Sequence, residues 1–302
     1  MTNDFKSILH NQLKEMVLKR MPVPGSYDTG IESLTTYRTD EQSSVSNNCF
    51  YRPLVALILQ GTKRSIIGSE EFLYSENQCL VACIDVPVMS FITSASAEKP
   101  FVSIGLELDK YLISQLLVES PDILTVSENE TSRGTEVMET DINILGAFLR
   151  LIEICDDPTQ ISVLAPMVIR EIHYRLLISP MGHILRSINQ SGTPCNQISH
   201  AIAWLKENFR KPLQIERLAA QFNMSASHFY RRFKQITTLS PLQYQKRLRL
   251  HEAQRLILVE DTDAYHAALN VGYESPTQFS REYKRLFGES PKRDIQRKSQ
   301  KS

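Results

Sequence analysis

The amino-acid sequence predicts an α+β protein in two parts, a β-rich front with trailing helices and an all-α back. Three observations carry that expectation. Short apolar runs broken by turn residues fill Leu34 to Leu108. Apolar positions at helical spacing dominate from Lys110 onward. The stretch Ser225-Ala-Ser-His-Phe-Tyr-Arg-Arg-Phe-Lys-Gln235 returns as Ser275-Pro-Thr-Gln-Phe-Ser-Arg-Glu-Tyr-Lys-Arg285, an internal repeat.

Residues 4–18 read as a short amphipathic helix through Phe5, Ile8, Leu9, Leu13, Met16 and Val17, with neither the apolar core nor the cleavage site of a signal peptide. No run of about 18 apolar residues follows, so no membrane span is expected. Five cysteines, Cys49, Cys79, Cys83, Cys155 and Cys195, form an odd set without an export signal, which places reduced thiols in a cytoplasmic protein. Cys79 and Cys83 have the spacing of a redox pair or half a metal site. Small apolar residues in a strand is the plainer reading.

Within the β region, Leu54-Val-Ala-Leu-Ile-Leu59 and Cys79-Leu-Val-Ala-Cys-Ile84 are apolar runs, and Phe101 to Leu108 partly alternates. Gln60-Gly61, Gly68-Ser69 and Asp85 to Pro87 punctuate them, as in a small barrel or sandwich. None of the seven histidines, His10, His173, His183, His200, His228, His251 and His266, falls in this region. A histidine-held metal is therefore not expected, and no nucleophile elbow, phosphate loop or paired-histidine motif points to catalysis. Helical segments follow at Lys110 to Leu117, Ile142 to Cys155 and Ile161 to Ile178. The last carries Leu164, Met167, Val168, Glu171, Ile172 and Arg175 as an apolar stripe flanked by charge, which is either core or a subunit interface. The first domain is placed at 1–190, and Ser191-Gly-Thr-Pro194 within 191–196 is read as the linker.

The second domain, 197–296, opens with a helix from Ile198 to Phe209 buried through Ile198, Ile202, Leu205 and Phe209, and the only tryptophan, Trp204, is expected to pack. Two helix-turn-helix units follow, at about 215–236 and 264–287. In each, the longer second helix repeats apolar residues at i, i+3, i+7 and i+10: Ala226, Phe229, Phe233 and Ile236, then Pro276, Phe279, Tyr283 and Leu286. Ser225 and Ser275 stand where an N-cap belongs, with Pro276 and Gln278 completing the second start signal. The shorter helices show Ile215, Leu218, Ala219 and Phe222, and Tyr265, Ala268, Leu269 and Gly272, and the turns between contain Asn223 and Gly272. Between the units, Pro241 to Leu258 forms one unbroken helix capped by Ser240 and buried through Leu250, Ala253 and Ile257. Eighteen residues span about 27 Å.

This second domain resembles the AraC/XylS family of bacterial transcription regulators. The resemblance rests on Leu218-Ala-Ala-Gln-Phe-Asn-Met-Ser-Ala-Ser-His-Phe229, Ser240-Pro-Leu-Gln-Tyr244, Arg247-Leu-Arg-Leu-His-Glu-Ala253 and Val271-Gly-Tyr-Glu-Ser-Pro-Thr-Gln-Phe-Ser-Arg-Glu-Tyr-Lys-Arg-Leu-Phe-Gly288. One departure is Thr238, where the family commonly has glycine after the first recognition helix. A β-branched residue suits a left-handed cap poorly, so a different helix ending is expected there. In the first domain, Tyr51-Arg-Pro-Leu, Gln60-Gly-Thr-Lys-Arg64, Ile84-Asp-Val-Pro-Val88 and Leu106-Glu-Leu-Asp109 are similar to the cupin-like N-terminal domain of one AraC subgroup. The resemblance implies a domain that senses a small-molecule effector or makes a homodimer, and a regulator, usually an activator, that works with RNA polymerase.

Charge agrees. The chain is neutral overall, yet residues 197–302 hold 19 lysines and arginines against 10 acids. A basic surface that coincides with two helix-turn-helix units points to double-stranded DNA. Adjacent major grooves on one side of B-DNA lie about 34 Å apart, so one monomer can present both recognition helices to them and read a long, non-palindromic half-site. Ser227, Tyr230 and Arg231 from the first helix, and Thr277, Gln278 and Arg281 from the second, are the expected base readers. Lys234, Lys284 and Arg285, a turn further on, suit phosphates. Phe229, Phe233, Phe279 and Tyr283 belong to the buried face. Two other readings are a cupin-type metal enzyme with an appended DNA-binding domain and an architectural binder that bends DNA without strong sequence choice.

Overall fold

A computed structural model describes residues 2–43, 47–124 and 133–299. Helix α1 (Thr2–Arg20) leads into ten strands: β1 (Gly25–Asp28), β2 (Leu34–Thr39), β3 (Asn47–Tyr51), β4 (Leu54–Gln60), β5 (Thr62–Ile67), β6 (Glu70–Ser75), β7 (Gln78–Ala82), β8 (Val86–Ser94), β9 (Phe101–Glu107) and β10 (Thr135–Glu139). Helix α2 (Lys110–Glu119) precedes β10. After it come α3 (Ile142–Ile154), α4 (Pro158–Leu177), α5 (Gly182–Asn189) and seven further helices. The strands form two antiparallel sheets, ordered β1-β2-β9-β4-β7-β10 and β3-β8-β5-β6. Pro87, read as a break, lies inside β8 opposite Phe50.

Strand β4 shows why its sequence is a continuous apolar run rather than an alternation. Leu57, Ile58 and Leu59 are all fully buried, because the sheet covers one face and α1 the other through Leu13 and Val17, with Met21 just past its end. His10 of α1 reaches the same strand, its Nε2 standing 2.8 Å from the Leu59 carbonyl. A strand buried on both faces loses the period-2 signal. The tight step from β4 to β5 requires Gly61, at φ +85, where a Cβ would stand 2.5 Å from the Ser94 carbonyl.

The stripe on α4 divides. Ala165, Ile172 and Leu176 are core, whereas Val163, Leu164, Met167 and Tyr174 are exposed beside Ile178 at the helix end. Cys79 and Cys83 are buried free thiols. Burial pushes the Cys79 thiol up to about 12 and Cys83 higher still, so both stay protonated and unreactive. Among the described residues no group of three or more His, Cys, Asp or Glu side chains is placed to hold a metal, and no helix is long and apolar enough to cross a membrane.

The second part contains α6 (Pro194–Asn208), α7 (Ile215–Gln221), α8 (Ala226–Thr237), α9 (Pro241–Leu258), α10 (Ala264–Asn270), α11 (Pro276–Phe287) and α12 (Pro291–Ser299). The stretch expected to be a linker is half helix. Helix α6 begins at Pro194 rather than Ile198 because the Thr193 hydroxyl accepts from the Asn196 amide at 3.1 Å and proline occupies the first turn. Asn196 also donates to the Ile188 carbonyl at 2.8 Å, tying the junction to α5.

Core packing does not follow the sequence division. One apolar cluster runs from α1 and both sheets through α3–α6 into α7 and α8, and ends at Tyr244 of α9. A separate cluster holds Leu250, Ala253 and Ile257 of α9 together with α10 and α11. The spacer helix α9 therefore belongs to both bodies. Its Tyr244 donates to the Asp85 carbonyl at 2.7 Å, and Phe50 of β3 meets Tyr244 and His251 edge-on, with ring centroids 5.9 and 4.9 Å away. The Asp85 carboxylate pairs with Lys206 of α6 at 2.5 Å.

Candidate nucleic-acid interface

Both recognition helices, α8 and α11, are 12 residues long. Each starts at its serine cap: Ser225 accepts from the His228 amide at 3.3 Å and Ser275 from the Gln278 amide at 3.2 Å. The turns before them are set by left-handed residues, Asn223 at φ 55° and Gly272 at φ 88°. At Gly272 glycine is also required by space, since a Cβ there would stand 2.2 Å from the Arg210 carbonyl. Arg249 of the spacer explains that close approach. Its guanidinium donates to Phe209, Arg210, Lys211 and Gly272 carbonyls at 2.7–3.2 Å and so ties the end of α6 to the second turn.

Phe229, Phe233 and Ile236 of α8, and Phe279, Tyr283 and Leu286 of α11, are buried at the expected spacing. On the opposite faces, Ser227, Tyr230, Arg231 and Lys234, and Thr277, Arg281 and Lys284, are exposed. Arg231, Lys234, Arg281 and Lys284 have no hydrogen-bond or ion-pair partner among the described residues. Gln278 sits differently. It does not close a capping box. Its amide group donates to Glu282 at 3.1 Å, on the flank of α11 that faces α9. Glu282 also accepts from Lys246 and from the Tyr273 hydroxyl, both at 2.8 Å. Arg285 is exposed on that same flank. The capping box forms instead at Ser240 and Gln243 of α9.

Two sequence expectations fail in these units. Tyr265 and Leu269 of α10 are 55% and 44% exposed. The buried side of that short helix runs through Ala267 and Ala268 to Val271, one position out of phase with the expected stripe. Thr238 does adopt the left-handed cap, at φ 62°, as Gly288 does at the end of α11 at φ 82°. A contact with the first domain holds it there.

That contact clamps the end of α8. The Thr238 hydroxyl lies 2.7 Å from the Ile67 carbonyl, and the Gly134 amide donates to the Ile236 carbonyl at 3.0 Å. Gly68, at φ +61, lets the β5–β6 turn come this close, because a Cβ on it would stand 2.1 Å from the Thr238 hydroxyl. Beside the clamp, Tyr230, Arg231 and Lys234 look across a cleft of about 570 Å³ at Ser69, Glu70 and Arg133. Arg133 and Glu70 are paired at 3.0 Å. The outward face of the first recognition helix is thus turned toward the β domain. Among the described residues no clamp of this kind stands at Gly288, since nothing lies within 4 Å of where its Cβ would be. The signal for the clamp was the threonine at a glycine position; its partners are about 100 to 170 residues away in sequence.

Comparisons with known proteins agree with this geometry. A profile described as the AraC-type transcriptional regulator N-terminus matches residues 30–184, and one described as a helix-turn-helix domain matches residues 218–297. The HTH-type transcriptional activator RhaS of Escherichia fergusonii is 35% identical over 96 residues, 32% of this chain and 34% of that protein. The HTH-type transcriptional regulator AlkR of Acinetobacter baylyi is 27% identical over 203 residues, 66% of this chain and 64% of that one. The match thus spans a third of RhaS and just under two thirds of AlkR. An apo ToxT structure from Vibrio cholerae superposes on 87% of this chain and 97% of its own at TM-score 0.57 and 9% identity, a likeness of fold. Together, the two matched domains define a transcription regulator with a helix-turn-helix DNA-binding domain. Since the first match covers just over half of the chain, the protein belongs to the AraC/XylS family.

Proposed function

We propose that the protein is a sequence-specific transcription activator whose monomer reads two adjacent major-groove segments. The observation that carries this is the pair of equal-length helices with matching exposed faces, joined by one unbroken 18-residue helix. Ser227, Tyr230 and Arg231, with Thr277, Gln278 and Arg281, are the base readers. Each arginine supplies the fork that fits guanine O6 and N7, and Gln278 reads a base by leaving Glu282. Lys234, Lys284 and Arg285 hold phosphates. RNA polymerase, a small-molecule effector of the first domain and a second copy docked on the exposed side of α4 complete the partner set, in the cytoplasm.

The clamp on α8 sets an order of events. Ser69, Glu70 and Arg133 line the cleft opposite Tyr230, Arg231 and Lys234, and so stand where a major groove about 12 Å wide would have to meet α8. Reading with both helices therefore requires the β5–β6 turn to leave α8 first. Selection of bound sequences from a random DNA pool by the full-length protein tests the proposal. A long asymmetric motif bound about 10³-fold over scrambled DNA is the expected result. A short motif with a single conserved block would leave α11 as the sole reader.

A further inference from the structure

Outside the reading faces, a second cleft of about 280 Å³ opens between the spacer helix and α11, next to Leu239 in the short connection from α8 to α9. Leu239 and Leu250 supply apolar walls, and Lys246, Arg247, Glu282 and Arg285 line it. The charges do not balance. Glu282 is occupied by Lys246, Gln278 and Tyr273. Arg247 and Arg285 have no hydrogen-bond or ion-pair partner among the described residues. Arg247 is half-buried, and burial together with repulsion from Arg285 lowers its pKa.

A guanidinium withdrawn from water without a counter-charge is costly, and a second beside it adds repulsion. The cost falls when an oxyanion enters, because a guanidinium fork donates two parallel N–H bonds to phosphate or carboxylate oxygens. We propose that Arg247 and Arg285 form an oxyanion-binding site, for a phosphate-type group, in the cleft between the spacer helix and the second recognition helix. Its walls come from the spacer helix and the second helix-turn-helix unit, so an occupant braces one against the other. The phosphate is either a link of the DNA backbone passing between the two reading helices or a free phosphorylated small molecule.

Both sources are testable on the full-length protein. Sodium pyrophosphate is titrated calorimetrically at constant ionic strength into wild type, Arg247→Gln and Arg285→Gln. Saturable binding by wild type, weakened about ten-fold or more in both variants, is expected if each arginine contributes a charge-assisted pair of bonds. Arg285 is exposed, so its variant keeps the fold and carries the test alone if Arg247→Gln does not; melting without pyrophosphate provides that check. In the second arm, the salt slope of binding to the selected DNA is compared. A slope smaller by about one in the variants identifies the DNA backbone as the source. An unchanged slope with lost pyrophosphate binding identifies a free anion. The DNA arm rests on the function proposed above, whereas the pyrophosphate arm does not, so the two fail separately. Equal pyrophosphate affinity and equal salt slope in wild type and both variants would overturn the site.

Discussion

The two helix-turn-helix units repeat one pattern of caps, stripes and outward side chains, yet the fold treats them differently. The first shares its apolar core with the β domain and is clamped at Thr238, and its reading face looks into a cleft. The second has its own core, and among the described residues the space beside its Gly288 cap is open. A repeated sequence fixes the local helix, cap and stripe. What each copy packs against decides whether its outward face is available.

Core truncation gives the largest expected effect on this contrast. Phe233 and Phe279 are both buried to within 1%, so replacing either by alanine costs about 3–5 kcal/mol. Trp204 packs against the first cluster only. Its fluorescence in thermal unfolding should therefore report a lower transition for Phe233→Ala and an unshifted one for Phe279→Ala. Equal shifts would mean that the units melt as one body.

Next in size is a pH effect at the seam. His251 stands between Phe50 of the β domain and Phe287 of α11, with ring centroids 4.9 and 5.4 Å away. Burial and Arg247 lower its pKa to about 4, below the roughly 6.5 of an unfolded histidine. Between those values the unfolded chain takes up a proton that the folded chain refuses, so stability falls as pH drops from about 6.5 toward 4, by something on the order of 3 kcal/mol. His10 and His173 are shifted the same way. Urea unfolding of His251→Gln at pH 7 and pH 5 should recover part of that acid loss. A difference between the two pH values as large as in wild type would remove His251 from the account.

A smaller effect tests reading itself. Arg231→Ala and Arg281→Ala should each cost about 1–3 kcal/mol of DNA affinity and relax one base step, once both helices are engaged. Replacing Lys284 should weaken all sequences alike. A full loss with Arg281→Ala and none with Arg231→Ala would show that α8 never enters a groove.

The smallest change bears on the clamp. Thr238→Gly removes the hydroxyl from Ile67 while suiting the left-handed cap, so DNA affinity of the full-length protein should rise by a few-fold, about 1 kcal/mol. Gly288→Thr should only strain the end of α11, by roughly 1–3 kcal/mol of stability. Weaker DNA binding by Thr238→Gly would mean that the β domain assists α8.

Much of this was legible because helical periodicity survives burial on one face. The stripes of α8, α9 and α11, their serine caps and the turns at Asn223 and Gly272 all follow from residue type and spacing. Less visible was the start of α6, where Thr193-Pro194 is a cap followed by a first-turn proline, although beside Ser191-Gly192 it reads as a linker. The phase of α10 was missed because Ala267 and Ala268 bury little area, and the larger Tyr265 and Leu269 dominate the pattern. Arg249 and Gly134 give no local signal, and Gly68 marks its turn but not what the turn meets. Their roles arise from backbone approaches between distant segments.

In the function proposed above, a molecule that offers one reading helix while the other is covered touches DNA one-handed. Encounters made through α11 and nearby basic residues alone are held chiefly by charge, and they loosen quickly at physiological salt. Only a sequence that rewards prising the β5–β6 turn from α8 gains the second grip. Under that proposal the clamp is a dwell-time filter: fast release along ordinary DNA, and slow release where both helices find their bases.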